Sequence, residues 1–421
     1  MNVVLHTFGC KANQYDTELV RQRLERAGCT VVDAPEDADA AVVNSCTVTH
    51  VGEGKMRGLV RRLARRNPGI RTVVMGCAAA LDDGRIGALP NVAAVVPGAD
   101  DAAVARALGV AVPSGPHADA GLLRFASGSR AWLKIQDGCD EHCTFCATVL
   151  ARGRGRSRAP EELVREAAAL AASHAEIVLT GVHIGTWGRD LEDGSGWSLS
   201  RLVGLLVERV DGVRFRLSSV EATEVDEALV ALMARAPDRL APHLHAPLQS
   251  GSDALLKRMG RHWYTAASYR AAVERLAARV APLGLGADLI TGFPGEGPAD
   301  HAATLRLVED LPFTYLHVFP YSEREGTAAV RLGPPAAAAA QRERGAELRA
   351  LAARKAADHR AARAGARADL VLEARRGGVR EAVTEDYLTA LVPADAPWVL
   401  GRARVAARLA VRGSELLAEA V

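Results

Sequence analysis

The first hundred residues repeat one pattern three times: an apolar run that ends in a small residue followed by a cysteine. The runs are NVVLHTFGC, DAAVVNSC and RTVVMGC, and they end at Cys10, Cys46 and Cys77. Helical stretches such as TELVRQRLERAG separate them, and the cysteines lie 36 and 31 residues apart, close to the roughly 30 residues of one β-α-β unit. Strands this apolar, alternating with helices, predict a parallel sheet covered on both faces.

Each of these three cysteines follows the carboxyl end of a predicted strand, and that edge of an open parallel sheet is where ligands bind. A single cysteine there would most simply be a buried packing residue. Three at equivalent points of successive units favour a shared site instead. We therefore predict that Cys10, Cys46 and Cys77 converge as metal ligands, and that Cys29, beyond a helix, is a packing residue.

Composition narrows the class of protein. The seven cysteines are an odd number, and the N-terminus MNVVLHTFGC has neither a basic leader nor a small-residue cleavage site. We therefore expect a cytoplasmic chain whose cysteines serve metal or redox chemistry. No apolar run reaches the roughly 18 residues of a membrane helix, so no membrane association is expected. A net charge of +2 excludes a dedicated nucleic-acid coat protein, and any RNA binding must depend on local patches.

A second pattern of predicted strands and helices begins after a Gly-, Ser- and Pro-rich linker over 110–130. Six candidate strands alternate with amphipathic helices: AWLKIQ, EIVLTG, VRFRLSS, HLHAPLQ, GADLITGF and YLHVFPY. Six β/α units predict an incomplete α/β barrel with its active face at the carboxyl ends of the strands. A long Ala/Arg/Glu helix after Pro335 is expected to connect it to 366–421, where short apolar–polar alternation predicts a small antiparallel β-barrel. The predicted domains of this α/β chain are 1–115, 130–345 and 366–421.

The loop QDGCDEHCTFC places Cys139, Cys143 and Cys146 directly after the first barrel strand. A structural zinc site wants four protein ligands, and no second pair of cysteines follows at zinc-finger spacing. A 4Fe–4S cluster is usually held by four thiolates. Three thiolates would leave one iron open to a small ligand, so the loop is predicted to hold a cluster with one reactive iron.

The spacing C-x-x-x-C-x-x-C at the start of an α/β barrel, with Phe145 before the third cysteine, resembles the radical S-adenosylmethionine superfamily. There the open iron binds S-adenosylmethionine, which is cleaved to a 5′-deoxyadenosyl radical. As a whole the chain is similar to the methylthiotransferases, which carry a second cluster on the N-terminal domain and end in an RNA-binding TRAM domain. The segments GCKANQYDTE, NSCTVT and HLHAPLQSGS most resemble the branch that acts on threonylcarbamoyladenosine in tRNA.

This resemblance implies two 4Fe–4S clusters, one on Cys139, Cys143 and Cys146 and one on Cys10, Cys46 and Cys77, with S-adenosylmethionine as the other cofactor. It implies conversion of threonylcarbamoyladenosine next to the anticodon to its 2-methylthio derivative. The expected partners are tRNA and a flavodoxin- or ferredoxin-like electron donor, the expected state is a monomer, and the sulfur donor is open.

Other candidates follow from position. The strand ends LTGVHIG, LSSVE and PLQSGS place residues where they could line an S-adenosylmethionine pocket: Gly181, Ser218, Glu221, Gln249 and Ser250. The segment ARGRGRSR offers alternate arginines for RNA phosphates: Arg152, Arg154, Arg156 and Arg158. Three histidines are assigned to the core or a pocket, without a metal: His183, His243 and His245.

Two alternatives stay open. A methylthiotransferase could act on isopentenyladenosine in tRNA or on a ribosomal protein side chain, although Lys11-Ala12 after the first cysteine differs from the pairs expected in those branches. A non-catalytic iron–sulfur protein that binds RNA would belong to another class. That protein would need neither an S-adenosylmethionine pocket nor an open iron.

Overall fold

A computed structural model describes residues 1–111, 121–126, 128–191, 194, 196–376 and 378–421. The predicted linker over 110–130 and the predicted boundary at residue 115 lie partly or wholly outside the described residues. The described residues before 112 form a first group of elements: β1 Asn2–Thr7, α1 Lys11–Arg26, β2 Thr30–Val31, β3 Ala40–Ser45, α2 His50–Arg66, β4 Arg71–Gly76, α3 Cys77–Ala80, β5 Val92–Pro97 and α4 Asp101–Ala107.

These first strands form one sheet in the order β2-β1-β3-β4-β5, and every strand pair is parallel. Successive side chains point to opposite faces of a strand, and here both faces are covered. Val43 packs in a cluster with α2 on one face, whereas Val42 packs with α1 and α4 on the other. The predicted parallel sheet is therefore confirmed. Strands β1, β3 and β4, which precede the three cysteines, are direct neighbours.

The central part consists of alternating strands and helices. Its elements are β6 Arg130–Lys134, β7 Gln136–Asp137, α5 Thr148–Arg152, β8 Arg156–Ser157, α6 Pro160–Ala171, β9 Glu176–Thr180, α7 Leu199–Arg209, β10 Arg214–Leu217, α8 Glu227–Arg235, β11 His243–His245, α9 Asp253–Arg258, α10 Ala266–Ala277, β12 Gly284–Thr291, α11 Pro298–Asp310 and β13 Tyr315–Pro320.

Six of these strands form a parallel, incomplete barrel. The order β6-β9-β10 continues into β11-β12-β13 through isolated parallel bridges, Phe215 with Leu240 and Ser219 with His245. Within the described residues, β6 and β13 are not paired with each other, so the barrel has a gap between them. Leu179 and Leu289 point outward into the main hydrophobic core, whereas alternate residues such as Glu176 and Asp288 point into the lumen. The six predicted strands are all present.

The C-terminal part begins with the predicted long helix, α12 Ala338–Ala362. Five strands follow and close into a barrel in the order β14-β15-β16-β18-β17: β14 Arg367–Arg376, β15 Val379–Val383, β16 Thr389–Pro393, β17 Arg404–Arg412 and β18 Glu415–Glu419. Leu370, Val392 and Leu409 are among the residues that fill it. The barrel agrees with a TRAM-like domain. It is not wholly antiparallel as predicted, because β16 pairs with β18 in parallel to close the barrel.

Buried charges attach the small barrel to the amino-terminal ends of the central strands. Arg214 and Arg216 both bind the buried carboxylate of Glu176 at 2.7 and 2.9 Å. Arg214 also bonds Asp369 at 2.9 Å, and Arg216 donates to the carbonyl of Thr384 at 2.9 Å. The small barrel therefore covers the amino end of the lumen and leaves the carboxyl ends of the strands accessible. No helix in the described part of the chain combines the length and the apolar character needed to cross a bilayer.

Candidate active site

The three N-terminal cysteines lie together at the carboxyl edge of the first sheet. Cys10 caps the start of α1, Cys46 follows β3 and Cys77 begins α3. The side-chain oxygen of Asn13 lies 3.7 Å from the sulfur of Cys10 and 3.9 Å from that of Cys77. A Cβ atom placed on Gly9 would lie 3.2 Å from the sulfur of Cys46. The predicted convergence of these cysteines is thus present in the fold.

Glycine before cysteine is a backbone requirement at both groups of cysteines. Gly76 has φ of +96°, and a Cβ there would lie 2.2 Å from the side-chain oxygen of Asn44. Gly138 has φ of +71°, and a Cβ there would lie 1.9 Å from the carbonyl oxygen of Arg154. Only glycine tolerates both the conformation and the approach. The Gly-Cys pairs in the sequence are the signal of these turns.

The barrel cysteines occupy the loop between β7 and α5. Each of their sulfurs has an N–H group nearby: the Glu141 amide lies 3.4 Å from Cys139, Arg261 Nη1 lies 3.5 Å from Cys143, and the Thr148 amide lies 3.4 Å from Cys146. The N-terminal group is similar, because the Val48 amide lies 3.4 Å from Cys46 and Arg152 Nε lies 3.2 Å from Cys77. Hydrogen bonds of this kind tune thiolate ligands of iron–sulfur clusters.

The chemistry of these six thiols fits two iron–sulfur clusters. None of the seven cysteines is in a disulfide. Burial raises the pKa of Cys77 to about 11 and that of Cys143 to about 12, although Arg152 and Arg261 respectively oppose the shift. These two thiols therefore hold their protons at neutral pH, and iron must displace these protons on binding. Two groups of three sulfur donors, each with N–H groups directed at the sulfur atoms, suit thiolate-ligated iron.

One arginine connects the two groups. Arg152 ends α5, the helix after Cys146, and its guanidinium crosses to the N-terminal sheet edge. It contacts Cys77 at 3.2 Å, Asn13 at 2.7 Å, Asp16 at 2.9 Å and Asp137 at 2.8 Å. Burial raises the pKa of Asp137, but Lys134 and Arg152 outweigh it and lower that pKa to about 2. This buried network fixes the N-terminal cysteines relative to the barrel loop.

The four arginines predicted to contact RNA differ in their burial. The prediction is wrong for Arg152, which is buried in the network above. The guanidinium of Arg158 binds Glu166 at 2.6 Å and Tyr15 at 3.0 Å, but its side chain is 24% exposed, so a contact with RNA stays a prediction for it. Arg154 and Arg156 are exposed, so a contact with RNA stays a prediction for these two. Residues at alternate positions share one side only in an extended strand, and here α5 ends within the segment.

The residues predicted for the S-adenosylmethionine pocket differ in their distance from the barrel cysteines and in their contacts. Glu221 pairs with Arg261, which also contacts Cys143, so it lies beside the barrel cysteines. Gly181 is in tight contact with Gln136, since a Cβ there would lie 2.6 Å from the Gln136 carbonyl oxygen. Ser218 follows β10, and Gln249, with φ of +62°, lies beyond β11; both are buried. Their role in cofactor binding stays a prediction.

Ser250 is buried, and its hydroxyl already has partners within the protein. Its hydroxyl lies 3.2 Å from that of Thr304 on α11 and accepts from the amide of Ser252 at 3.1 Å. The serine therefore fastens the loop to the outer helix layer. Its predicted contact with the cofactor stays a prediction.

Two further residues lie at the barrel loop: Arg261, which the sequence did not indicate, and His183, which was assigned only to the core or a pocket. Arg261 lies 118 residues from Cys143, and no motif links them. His183 Nδ1 lies 3.7 Å from the sulfur of Cys139, and its Nε2 lies 3.0 Å from Glu224. Burial opposes protonation of His183, but the hydrogen bonds to Cys139 and Glu224 outweigh it and raise its pKa to about 10.

A cleft of about 590 Å³ opens between the first sheet and the barrel. Its walls include Thr47, Ala78 and Ala147, which directly follow Cys46, Cys77 and Cys146. Charged side chains line the rest, among them Arg57 and Arg324. The cleft therefore borders both groups of cysteines.

Two family models match the chain. Residues 2–98 match the model described as uncharacterized protein family UPF0004, and residues 133–308 match the radical SAM superfamily. The first covers the sheet with Cys10, Cys46 and Cys77, and the second covers the loop with Cys139, Cys143 and Cys146.

Relatives combine both parts in one chain. The threonylcarbamoyladenosine tRNA methylthiotransferase MtaB of Bacillus subtilis is 38% identical over 78% of this chain and 75% of its own length. The enzyme of the same name from Thermotoga maritima is 37% identical over 78% and 77%. A tRNA-2-methylthio-N(6)-dimethylallyladenosine synthase from Dictyoglomus thermophilum is 32% identical over 77% and 76%.

A solved structure shares the fold. The radical S-adenosylmethionine methyltransferase TsrM from Kitasatospora setae, with cobalamin and a [4Fe-4S] cluster bound, superimposes with a TM-score of 0.57 at 14% identity, over 90% of this chain and 80% of that one. The sequence relatives support a more specific family assignment than this structural similarity does. Their sequence identity is higher, and the matches cover most of both chains. The chain therefore belongs to the family of radical S-adenosylmethionine tRNA methylthiotransferases.

Proposed function

We propose that this protein converts threonylcarbamoyladenosine next to the anticodon of tRNA to its 2-methylthio derivative. The observation that carries the proposal is the pairing of two groups of three cysteines in one molecule, connected by Arg152. The MtaB relatives, at up to 38% identity, supply the substrate class. A non-catalytic RNA-binding protein would have no use for this second group beside the first.

The proposed cofactors are two 4Fe–4S clusters and S-adenosylmethionine. One cluster would be held by Cys139, Cys143 and Cys146, which would leave one iron open to a ligand. The other would be held by the N-terminal group, Cys10, Cys46 and Cys77. When bound, these groups supply a 5′-deoxyadenosyl radical for hydrogen removal from carbon 2 of the adenine, together with the sulfur and methyl that replace it.

The chain's own residues hold and shield this chemistry. Arg261 donates to Glu221 and lies near Cys143, so it orients a carboxylate beside the barrel cysteines. His183 directs one ring nitrogen at Cys139, and Glu224 fixes its ring from the other side. The small C-terminal barrel blocks the far end of the lumen, which keeps water from entering there. A site of this kind works by positioning and by excluding water.

Each of the three predicted units has a task in this proposal. The unit 1–115 holds the second cluster, 130–345 binds S-adenosylmethionine and the target base, and 366–421 contacts the RNA. We further propose that the protein acts as a monomer in the cytoplasm, where tRNA is found, with a flavodoxin- or ferredoxin-like protein as the electron donor.

Mass spectrometry of tRNA nucleosides tests the proposal. A strain that lacks this gene should accumulate threonylcarbamoyladenosine and lose its 2-methylthio derivative, and the intact gene should restore it. A Cys143→Ala gene should not restore it. Unchanged 2-methylthio nucleosides in the deletion strain would contradict the proposed function.

A further inference from the structure

The lumen of the central barrel contains a polar cluster that the two groups of cysteines do not use. His245, Asp288 and His317 project inward from the neighbouring strands β11, β12 and β13. One carboxylate oxygen of Asp288, Oδ1, lies 3.0 Å from His245 Nε2 and 3.2 Å from His317 Nδ1. The two imidazole rings are 5.1 Å apart. We call these three residues the lumen triad.

The lumen triad is held in place on the side that faces the small C-terminal barrel. The hydroxyl of Tyr315 lies 3.1 Å from His245 Nδ1 and 2.8 Å from His243 Nε2. Tyr387 from the small C-terminal barrel packs against His243 and Tyr315, with ring centroids 4.4 and 5.5 Å away. The triad therefore lies between this floor and the cysteine-bearing end of the barrel. A fixed tyrosine behind His245 sets the orientation of its ring.

On the side away from the small C-terminal barrel, the triad is open to solvent. The side chain of His317 is 54% exposed and that of Asp288 is 26% exposed, although both point into the lumen. Among the described residues, neither Nε2 of His317 nor the second carboxylate oxygen of Asp288, Oδ2, has a hydrogen-bond partner. The backbone of Asp288 also pairs with Gln249 at 2.8 Å, so the triad lies next to the strand end of β11. Two polar atoms thus remain available to a ligand that enters from the cysteine side.

We propose that the lumen triad is the subsite that receives the polar substituent on N6 of the target adenosine. This inference rests on the proposed function, because it assumes that the adenine is presented to the barrel cysteines. A threonylcarbamoyl group carries N–H and O–H donors for the free oxygen of Asp288. It also carries further polar atoms that can pair with the free Nε2 of His317. Asp288 stays ionised at neutral pH, because hydrogen bonds to His245 and His317 lower its pKa far below the usual range despite burial.

The same geometry disfavours an apolar substituent. A dimethylallyl group would cover Asp288 and His317 without giving either a hydrogen bond, and buried polar groups left unpaired are costly. Sites built to hydrogen-bond a substrate group reject analogues that lack it far more strongly than apolar pockets reject an added one. The triad therefore selects threonylcarbamoyladenosine over dimethylallyladenosine, the substrates named for two groups of relatives.

The test uses two anticodon stem-loop RNAs that differ only in the N6 substituent, threonylcarbamoyl or dimethylallyl. The anaerobically reconstituted full chain is assayed for RNA binding by fluorescence anisotropy and for 2-methylthio product by mass spectrometry. Wild type should favour the threonylcarbamoyl RNA. Asp288→Asn and His317→Leu should each weaken binding of that RNA about 10- to 100-fold, as expected for the loss of one hydrogen bond to a charged group. Binding of the dimethylallyl RNA should change less than about threefold.

A matched control variant separates loss of the subsite from general damage. His301→Ala removes an imidazole–carboxylate pair of 2.6 Å with Glu347 between α11 and α12, outside the lumen. It should leave both RNAs bound as in wild type. Iron content should equal that of wild type in all three variants.

Three outcomes decide the matter. If wild type prefers the threonylcarbamoyl RNA but both triad variants keep that preference, the subsite assignment fails while the proposed function stands. If wild type makes product from neither RNA, or only from the dimethylallyl RNA, the proposed function fails first. About one zinc per chain that is lost in Asp288→Asn would also overturn the proposal, because the triad would then be a metal centre.

Discussion

Replacement of Arg152 by methionine tests the connection between the two groups of cysteines. Methionine keeps most of the apolar stem but removes the charge that reaches Asp16, Asp137, Asn13 and Cys77. Asp16 is 1% exposed, so it would keep a buried negative charge with Lys134 as its remaining cation. Loss of one partner from a buried ion pair costs about 3–5 kcal/mol, and we expect about 3 kcal/mol here because Lys134 stays.

This cost converts to a shift in melting temperature. A cooperative unit of about 330 residues has an unfolding entropy of about 0.7 kcal/mol/K, so about 3 kcal/mol lowers Tm by about 4 °C. Calorimetry on the anaerobically reconstituted protein measures it. Arg154→Met is the matched control, because that side chain is 93% exposed and should cost less than about 0.5 kcal/mol. A Tm of Arg152→Met within about 1 °C of wild type would refute the reasoning.

Other expected outcomes follow from the same geometry. Cys143→Ala should abolish formation of 5′-deoxyadenosine with dithionite, and cleavage at the wild-type rate would remove the assignment of this loop. Cys46→Ala should lose about four of about eight irons and make no methylthio product, yet it should still form 5′-deoxyadenosine. Normal iron content and normal product would show that the N-terminal thiols serve only as packing residues. Gly76→Ala should lose iron from the N-terminal group, because its Cβ would lie 2.2 Å from Asn44; iron analysis decides. Arg154→Glu should weaken tRNA binding and lower its salt slope by about one, and an unchanged slope would mean that Arg154 touches no phosphate.

Periodicity was enough to predict the architecture. Apolar runs of strand length separated by amphipathic helices predicted both parallel sheets, and the Gly-Cys and Ser-Cys ends predicted that Cys10, Cys46 and Cys77 share one edge. Strand order depends on long-range packing, yet the right-handed β-α-β rule limits it for consecutive units. The parallel closing pair of β16 and β18 was not predicted, because nothing in short alternating strands indicates which strand closes a barrel.

The environment of single side chains was harder to predict. Arg152, Arg154, Arg156 and Arg158 look alike in sequence, but burial separates them, and burial depends on how the first sheet packs on the barrel. Arg261 reaches Cys143 only because the segment after α9 packs against the loop that carries the barrel cysteines. Such contacts come from tertiary packing, so no local pattern indicates them.

The central claim is that one chain with two groups of three cysteines inserts a methylthio group into threonylcarbamoyladenosine. The most direct measurement combines the purified, reconstituted protein with S-adenosylmethionine, dithionite and tRNA that carries threonylcarbamoyladenosine, followed by nucleoside mass spectrometry. The account predicts 2-methylthio-threonylcarbamoyladenosine together with 5′-deoxyadenosine. Formation of 5′-deoxyadenosine without any methylthio nucleoside, from protein that holds about eight irons per chain, would contradict it.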